Sequence, residues 1–293
     1  MKKLLLGSAL ISLLAAPVMA DTQIGVTMTS FDNPFLTILL NGIRAEAEKT
    51  EGVTLSVEDA QLDVGRQLNQ VQNFIANGVD AIIVNAVDGQ STAAITRAAT
   101  DAGIPLIYVN HPPAELEVGM PAGTAYVGSD EADAGRLQAE AVCALLKGKE
   151  DAKAVILMGP LENRAAIVRT ETVEAAFASP ECPVEVVEKQ MANWNRVQGQ
   201  DMVASWLTAG VQFDAIISNN DEMAIGAAQA MKSVGAADVV IAGIDATVFQ
   251  NAVNQGEVAV QTALAASGGA TIEPEYWVAF EPVTKENMAD YIK

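Results

Sequence analysis

The sequence is poor in the residues that catalysis and metal binding usually need. Among 293 residues there are one histidine, two cysteines and only 5% aromatic residues. We find no Gly-x-Ser-x-Gly turn, no glycine-rich phosphate loop and no spacing of Cys, His or carboxylates typical of a metal site. A single histidine leaves little for general acid–base chemistry. We therefore expect a protein that is not an enzyme and that holds no metal ion and no cofactor.

Basic residues and long apolar runs are also scarce. The chain has 17 Lys and Arg against 37 Asp and Glu, which gives a formal net charge of −20. Such an acidic chain is a poor partner for nucleic acid or an anionic membrane, and it lacks the basic DNA-reading domain of a repressor. Beyond the first twenty residues, no apolar run approaches the roughly 18 residues of a membrane-spanning helix.

The first twenty residues have the pattern of a secretory signal. Lys2 and Lys3 form a basic start, residues 4–16 are mostly apolar, and small residues precede the end of the segment at Ala20. This three-part pattern predicts export and cleavage after Ala20, so that the mature chain begins at Asp21. An uncleaved membrane anchor is the alternative interpretation.

The two cysteines of the exported chain are Cys143 and Cys182. In an oxidising compartment they can form one disulfide. Cys143 lies within an apolar helical pattern, so two buried free thiols are the alternative. The sequence leaves both open.

Short β-branched segments alternate with helical segments along the mature chain. The predicted strands cover residues 24–28, 53–57, 80–84, 105–109, 125–127, 154–158, 184–187, 215–218 and 239–244. Strands without polar alternation are typical of parallel sheets that are buried on both faces. Since repeated β–α–β units form right-handed crossovers, we predict an α/β fold with doubly wound parallel sheets.

A loop rich in proline and glycine over residues 111–124 divides this alternation into two halves. We predict two lobes joined by a hinge, with residues 21–124 in the N-terminal lobe and residues 125–261 in the C-terminal lobe. Part of residues 262–279 is expected to return to the N-terminal lobe, and the 280–293 tail to join the C-terminal lobe. Ligands in open α/β sheets bind beyond the carboxyl ends of the strands, which places a ligand between the lobes.

Polar and aromatic residues follow the strands at that edge. They are Asn33 and Phe35 after the first strand, Asn110 and His111 after the fourth, Asn220 after the strand at 215–218 and Asp245 after the strand at 239–244. Several of them also have a plain structural explanation, because Asn and Asp readily cap the helices that follow.

Three runs in this sequence resemble the ribose- and inositol-type periplasmic sugar-binding proteins, the type I binding components of ABC transporters. The runs are Asp-Asn-Pro-Phe at residues 32–35, Asn-Asn-Asp-Glu-Met-Ala-Ile-Gly-Ala at residues 219–227 and Gly-Ile-Asp-Ala-Thr at residues 243–247. Their order and spacing match that family over most of the mature chain. The resemblance implies a periplasmic protein that closes around a sugar or cyclitol and delivers it to a permease in the inner membrane.

The resemblance also implies roles for single residues. Phe35 and Trp194 cover opposite faces of a ligand ring, while its hydroxyl groups are contacted by Asn33, Asn110, His111, Arg169, Asn220 and Asp245. A sugar or cyclitol suits such residues because it has apolar C–H faces and a rim of hydroxyl donors and acceptors.

The sequence departs from that family at three places. Leu36 stands where a second aromatic residue is common, and the Asn110–His111 pair replaces an aspartate and an arginine. The histidine is expected to make binding sensitive to pH. In the tail, Gln261 matches a family glutamine that comes after a strand following Gly256, but the residues after Gln261 leave little room for the usual helix. We expect Gln261 to be a doubtful ligand, the helix to be lost or deleted, and one closing strand at 276–282.

The sequence therefore predicts a monomeric substrate-binding component of an ABC importer. Inositol-like cyclitols are favoured as ligands over ribose and other monosaccharides. An amino-substituted cyclitol that pairs with Asp245 is a further option. The alternative function is a sensor that presents its ligand to a chemoreceptor or a sensor kinase.

Overall fold

The structure, a computed structural model, describes residues 21–236, 238–244 and 247–291. The predicted secretory signal, residues 1–20, lies outside the described residues. Within these ranges, no helix combines the length and the apolar character needed to cross a membrane.

The first lobe is built mainly from the N-terminal part of the chain. Its elements there are β1 (Thr22–Met28), α1 (Pro34–Glu48), β2 (Val53–Asp59), α2 (Val64–Ala76), β3 (Ala81–Val84), a 3-10 turn (Gly89–Ser91), α3 (Ala93–Asp101), β4 (Leu106–Val109), the short α4 (Glu115–Val118) and β5 (Thr124–Gly128). A later strand, β11 (Glu275–Trp277), joins the edge of the same sheet. The strand order is β11-β5-β4-β3-β1-β2, and every pair is parallel. All residues of β3 and β4 are buried, as expected of central strands covered by helices on both faces.

The second lobe repeats the same plan with a smaller sheet. Its elements are α5 (Glu131–Leu145), β6 (Lys153–Met158), α6 (Arg164–Phe177), β7 (Glu185–Met191), α7 (Arg196–Thr208), β8 (Ala215–Ser218), α8 (Asp221–Ser233) and β9 (Val240–Ala242). The strand order is β7-β6-β8-β9, again all parallel. The predicted α/β fold with two doubly wound parallel sheets is confirmed.

Asn or Asp side chains start most of the helices that face the cleft. Asn33 caps α1, Asn163 caps α6, Asn195 caps α7 and Asn220 caps α8, each by accepting a hydrogen bond from a backbone N–H of the first turn. Because these helices follow the carboxyl ends of parallel strands, their capping residues gather at one edge of each sheet.

The chain passes between the lobes three times, and we call residues 129–130, 251 and 278–279 the crossing segments. They connect β5 to α5, β10 (Val248–Gln250) to α9 (Ala252–Ser267), and β11 to β12 (Phe280–Pro282); a last 3-10 turn covers Met288–Asp290. β10 and β12 form an antiparallel pair. That pair packs on α5 of the second lobe, where Ala134, Ile244, Val248 and Phe280 share one apolar cluster.

The lobe boundary differs from the predicted one. The prediction began the C-terminal lobe at residue 125, but β5 pairs with β4 and with β11 in the first sheet. The first crossing therefore follows β5 instead of preceding it. The backbone hydrogen bonds of β5 make it part of the first sheet. The Pro/Gly loop before β5 therefore connects two parts of the first lobe.

The end of the C-terminal lobe was also predicted wrongly. Residues around Val258 and Val260 look like a strand, but they lie within α9, which packs against α1 in the core of the first lobe. A Cβ atom at Gly256 would lie 2.7 Å from the Leu39 carbonyl oxygen, so α1 and α9 pack closely at this glycine. The helix thought to be missing is therefore present, and it includes the residues read as a strand.

Gln261 is corrected along with this helix. It lies on an exposed part of α9, where its amide donates to Glu46 Oε1 at 2.8 Å. It does not line the cleft cavity described below. The single closing strand predicted at 276–282 is likewise two strands, β11 in the first sheet and β12 beside β10, separated by the third crossing segment.

Cys143 and Cys182 form a disulfide, with a Cα–Cα distance of 5.6 Å. The bond joins α5 to the turn before β7 in the second lobe, where both residues pack against its apolar core. Of the two possibilities left open by the sequence, the structure has the bonded one.

Candidate functional site

A cavity of about 400 Å³ lies between the lobes and is lined by residues of both. Of the eight expected ligand-contacting residues, those that line it are Asn33, Phe35, Asn110, His111, Arg169, Trp194 and Asn220. The eighth, Asp245, lies outside the described residues. A volume of this size is at the lower end of the range for small-molecule sites.

Asn33 and Phe35 bring the start of α1 to the cavity. The Asn33 Oδ1 atom accepts hydrogen bonds from the backbone N–H groups of Phe35, at 2.9 Å, and Leu36, at 3.3 Å. Since the oxygen serves the helix, the Asn33 amide has its N–H groups for a ligand. Phe35 is half-buried against the core of the first lobe. Leu36 also lines the cavity and gives an aliphatic wall at the position where the resembling family commonly has a second aromatic ring.

Asn110 follows β4 in the left-handed region, with φ of 66°, a conformation that asparagine adopts more readily than most residues. Its Nδ2 donates to Gln255 Oε1 at 3.1 Å, and the Gln255 Nε2 donates to Ser129 Oγ at 2.9 Å. Gln255 is fully buried in α9. The amide of Asn110 is therefore oriented by the helix that follows the second crossing segment and by Ser129 of the first.

His111 is held as a neutral side chain. Its Nδ1 lies 2.7 Å from the carbonyl oxygen of Ala86. A carbonyl oxygen only accepts, so Nδ1 carries the proton and Nε2 is left as an acceptor. Burial, aided by the nearby Arg169 guanidinium and opposed by the Ala86 hydrogen bond, lowers the pKa of His111 to about 4. The predicted pH sensitivity is thus moved well below neutral pH.

Arg169 is the buried cation of the cavity and is only 5% exposed. Its Nε donates to Glu131 Oε2 at 2.5 Å, its Nη1 to the Asn219 carbonyl oxygen at 2.6 Å, and its Nη2 to Gln250 Oε1 at 3.2 Å. Burial raises the pKa of the Glu131 carboxyl, and the Arg169 guanidinium beside it opposes that rise. The guanidinium also lies over the Trp194 ring, 5.9 Å from its centroid, within the range of a cation–π contact.

Trp194 reaches the cavity through an unusual backbone turn. Asn193 and Trp194 both have positive φ, 51° and 58°, which a bulky side chain rarely adopts. The turn is stabilised by Asn193 Nδ2, which donates to Gln198 Oε1 at 2.7 Å, and by Asn220 Nδ2, which lies 3.4 Å from the Trp194 carbonyl oxygen. The indole lies against Gly159, where any Cβ atom would overlap the ring.

Asn220 therefore has two structural tasks besides lining the cavity. Its Oδ1 accepts from the Met223 N–H at 3.1 Å and caps α8, while its amide nitrogen faces the Trp194 backbone. Nearby, at the edge of the cavity, Arg196 and Glu222 form an ion pair at 2.8 Å.

Sequence reasoning missed several cavity residues, among them the buried polar residues Glu131, Asn163 and Gln250. Asn163 had a usable signal, because it precedes the helix that carries Arg169 as Asn33 and Asn220 precede theirs. Gln250 is the cleft glutamine that was sought at Gln261, eleven positions later in the chain. Glu131 gave no signal, since a carboxylate in the first turn of a helix is ordinary.

The arrangement is suited to binding a small polar ring. Each lobe contributes one aromatic side chain, Phe35 or Trp194, and the remaining lining is rich in amides together with one buried guanidinium. The described residues contain no group of three or more potential metal ligands. The Nδ1 atom of the single histidine contacts a backbone carbonyl oxygen, which leaves its Nε2 atom as an acceptor for a ligand hydroxyl.

Comparison with known proteins gives consistent matches. The family described as "Periplasmic binding protein domain" matches residues 24–249. A Rhizobium meliloti protein provisionally named for rhizopine binding is 45% identical, with 99% of both chains covered. The ribose import binding protein of Escherichia coli K12 is 30% identical, with 87% of this chain and 83% of that protein covered.

A solved structure also matches over nearly the whole chain. It is an ABC transporter solute-binding protein from Bacillus halodurans with bound myo-inositol, and it is 35% identical to this chain. The TM-score is 0.86, and the match covers 94% of this chain and 99% of that one. Likeness at this level extends to the arrangement of both lobes.

Proposed function

Because the chain belongs to the periplasmic binding protein family, we propose that it binds a small polyhydroxylated ring between its lobes, an inositol-type cyclitol ahead of a monosaccharide. Membership in this family makes the chain a solute-binding protein of the ABC-transporter type and not an enzyme. The resemblance inferred from the sequence is confirmed. The choice of ligand and the role of each residue are the proposed part.

One observation carries the proposal: a cavity with one aromatic side chain from each lobe and a lining of buried hydrogen-bonding groups. The apolar C–H faces of a cyclitol or pyranose would lie against Phe35 and Trp194. Its hydroxyl groups need donors and acceptors, since an unpaired buried hydroxyl costs about 1–3 kcal/mol. Asn33 and Arg169 offer N–H donors, and His111 Nε2 offers an acceptor.

The ligands of similar proteins support the same class. The Bacillus halodurans structure, 35% identical, holds myo-inositol, and the Escherichia coli relative is named for ribose import. Both ligands are small and rich in hydroxyl groups, which suits a cavity lined by many hydrogen-bonding side chains. A cyclitol is placed before ribose because the inositol-bound protein, 35% identical over 94% of this chain, is more similar to it than the ribose import protein, 30% identical over 87%.

Binding is proposed to proceed by closure of the lobes. Phe35 and His111 lie on one lobe and Arg169 and Trp194 on the other, so only a closed form contacts the ligand with all four. A ligand that binds the closed form better shifts the population towards it. Since the three crossing segments are the backbone connections between the sheets, they are the proposed hinge.

The test is a thermal-shift panel on residues 21–293 with inositols, pentoses, hexoses and amino-substituted cyclitols at millimolar concentration. A ligand at 100 times its Kd adds about 2.7 kcal/mol to the free energy of unfolding. Each positive compound is then titrated by calorimetry against the parent and against Trp194→Ala. Sorbitol, an open-chain polyol, is the matched control for the ring.

A shift with one or more ring compounds, a weaker shift with sorbitol and a weaker titration with Trp194→Ala support the proposal. A folded protein with no shift across the panel contradicts it. Equal affinity of the parent and Trp194→Ala contradicts the assignment of the cavity.

Export, partners and oligomeric state complete the proposal. A periplasmic location is proposed from membership in the family, with export by cleavage after Ala20, to be checked by N-terminal sequencing of the exported protein. Its partner is the permease of an importer, and the chain is proposed to be a monomer, which light scattering tests. Presentation of the ligand to a chemoreceptor or sensor kinase is a second hypothesis that no described contact favours.

A further inference from the structure

Arg169 contacts a residue beside each of the three crossing segments. The Arg169 Nε atom donates to Glu131, which directly follows residues 129–130. The Arg169 Nη2 atom donates to Gln250, which directly precedes residue 251. Phe280 directly follows residues 278–279, and its ring centroid lies 5.6 Å from the Arg169 guanidinium carbon. One buried side chain of the ligand cavity thus joins the starts or ends of all three connections between the lobes.

The guanidinium is suited to this geometry because its five N–H groups are fixed in one plane. Three of them are used by Glu131, Asn219 and Gln250, each from a different nitrogen. One N–H on each of Nη1 and Nη2 is left over in this count, and Arg169 lines the cavity. The same rigid group can therefore hold the crossing segments and donate to a ligand.

Glu131 fixes the position of that group. It is 6% exposed, and its Oε2 accepts the shortest hydrogen bond made by Arg169. Its other oxygen, Oε1, is buried and has no hydrogen-bond partner among the described residues, so the guanidinium is the main compensation for this charge. Removing one partner of a buried ion pair is strongly destabilising, because the other charge is left uncompensated.

Asn220 is a cleft residue that lacks this connection. Asn220 lines the same cavity and lies on the same lobe, but its hydrogen bonds go to the start of α8 and to the Trp194 backbone. It therefore offers a matched comparison: a cavity residue on the second lobe without a contact to a crossing segment.

We propose that Glu131 is a positioning residue that holds Arg169 against the three crossing segments, so that ligand binding in the cavity is coupled to closure of the lobes. This inference rests on the proposed function, because it assigns a mechanism to the same site. Arg169 is the group that touches the ligand, and Glu131 acts through it.

The experiment compares the parent, Glu131→Gln and Asn220→Ala as full mature chains, first without ligand. Glu131→Gln keeps the size of the side chain and removes its charge. Hydrogen exchange of peptides that cover the crossing segments is expected to be about tenfold faster in Glu131→Gln than in the parent. Asn220→Ala is expected to leave these peptides unchanged. Unchanged exchange in Glu131→Gln overturns the proposal whatever the ligand is.

The second arm uses myo-inositol as the probe, titrated by calorimetry and then present at equal fractional occupancy. Both variants are expected to bind about tenfold or more weakly than the parent. Bound myo-inositol should slow exchange at the crossing segments in the parent and in Asn220→Ala, but at most weakly in Glu131→Gln. Equal slowing in all three proteins would mean that Glu131 is merely structural.

Failure of the proposed function is distinguishable from failure of this inference. If the parent binds neither myo-inositol nor any other ring of the panel, the proposed ligand class is contradicted, whereas the exchange measured without ligand still decides whether Glu131 holds the crossing segments. Should Glu131→Gln not fold, Arg169→Lys gives the same test, because lysine keeps the charge but lacks the planar fork that reaches several acceptors.

Discussion

Replacing Gly159 by alanine is expected to weaken ligand binding through a single neighbour, the ring of Trp194. A Cβ atom at residue 159 would overlap the Cζ2, Cε2 and Cη2 atoms of that ring. To restore carbon contacts of about 3.5–4.0 Å, the indole has to withdraw by more than about 1 Å. Gly159 does not have the positive φ that makes a substitution strained, so the backbone itself tolerates alanine.

The expected loss of binding free energy comes from the contact with the Trp194 ring that the ligand would no longer make. If the indole covers roughly 50 Å² of a ligand face, at about 25 cal/mol per Å² it contributes about 1.3 kcal/mol. The geometry of an aromatic contact adds about 0.5–1.5 kcal/mol. The sum corresponds to roughly a 20- to 100-fold increase in Kd, since about 1.4 kcal/mol is tenfold.

A double-mutant cycle measured by calorimetry tests this reasoning. Gly159→Ala should cost this amount in the parent and almost nothing in Trp194→Ala, where the ring is gone. Gly65→Ala is the matched control, at a glycine whose added Cβ would meet only the Asp63 side chain, at 3.3 Å, and which does not line the cavity. If Gly159→Ala weakens binding equally in both backgrounds, the effect does not pass through Trp194 and the reasoning is refuted.

Three further outcomes are expected. Because the pKa of His111 is lowered to about 4, its acceptor form is complete at neutral pH; calorimetry should give a constant Kd from pH 8 to about pH 6 and weaker binding as the pH nears 4. In the unfolded state His111 has a pKa near 6.5 and takes up its proton first, so the free energy of unfolding should fall as the pH is lowered from about 6.5 to about 4. This fall should be smaller in His111→Asn. The ion pair between Glu117 and Arg164, 2.8 Å apart and about half exposed, bridges the two lobes. Glu117→Gln should raise the Kd by about two- to fivefold at low salt and have little effect on the Kd at about 0.5 M salt. Replacing both Cys143 and Cys182 by serine should lower the free energy of unfolding by about 2–4 kcal/mol in urea titrations and leave the Kd unchanged.

These outcomes can each be contradicted. A Kd that changes between pH 8 and pH 6 would mean that His111 titrates near neutrality. A Glu117→Gln effect that persists in high salt would not be electrostatic. A changed Kd in the serine variant would mean that the disulfide, bonded near the end of α5 opposite to Glu131, affects the cavity.

Much of the site was predictable because it depends on order along the chain. A residue such as Asn33 or Asn220 comes directly after a strand, and parallel strands all end at the same edge. Arg169 and Trp194 required the resemblance to a known family, since nothing local distinguishes them from a surface arginine or a core tryptophan. Seven of the eight expected residues line one cavity, while their contacts with a ligand stay a prediction.

The errors share one cause. A strand after Gly256 was expected from the family resemblance, and Val258 and Val260 alone favour one as β-branched residues, yet they lie in α9, which packs closely on α1 at Gly256. Gln261 was then chosen as the cleft glutamine, whereas Gln250 is the one beside a crossing segment. A local pattern contains no information about which distant surface will cover it.

The sequence by itself determined the alternation of strands and helices, the acidic character of the chain, and the set of polar residues that end the strands. These are properties of neighbours in the chain, set by hydrophobic periodicity and by capping chemistry. Only the tertiary structure decided that β5 belongs to the first sheet, that His111 is held neutral, and that Arg169 joins Glu131, Gln250 and Phe280. The physical reason is that sheet membership, desolvation and buried ion pairing all depend on contacts between residues far apart in the chain, which periodicity does not record.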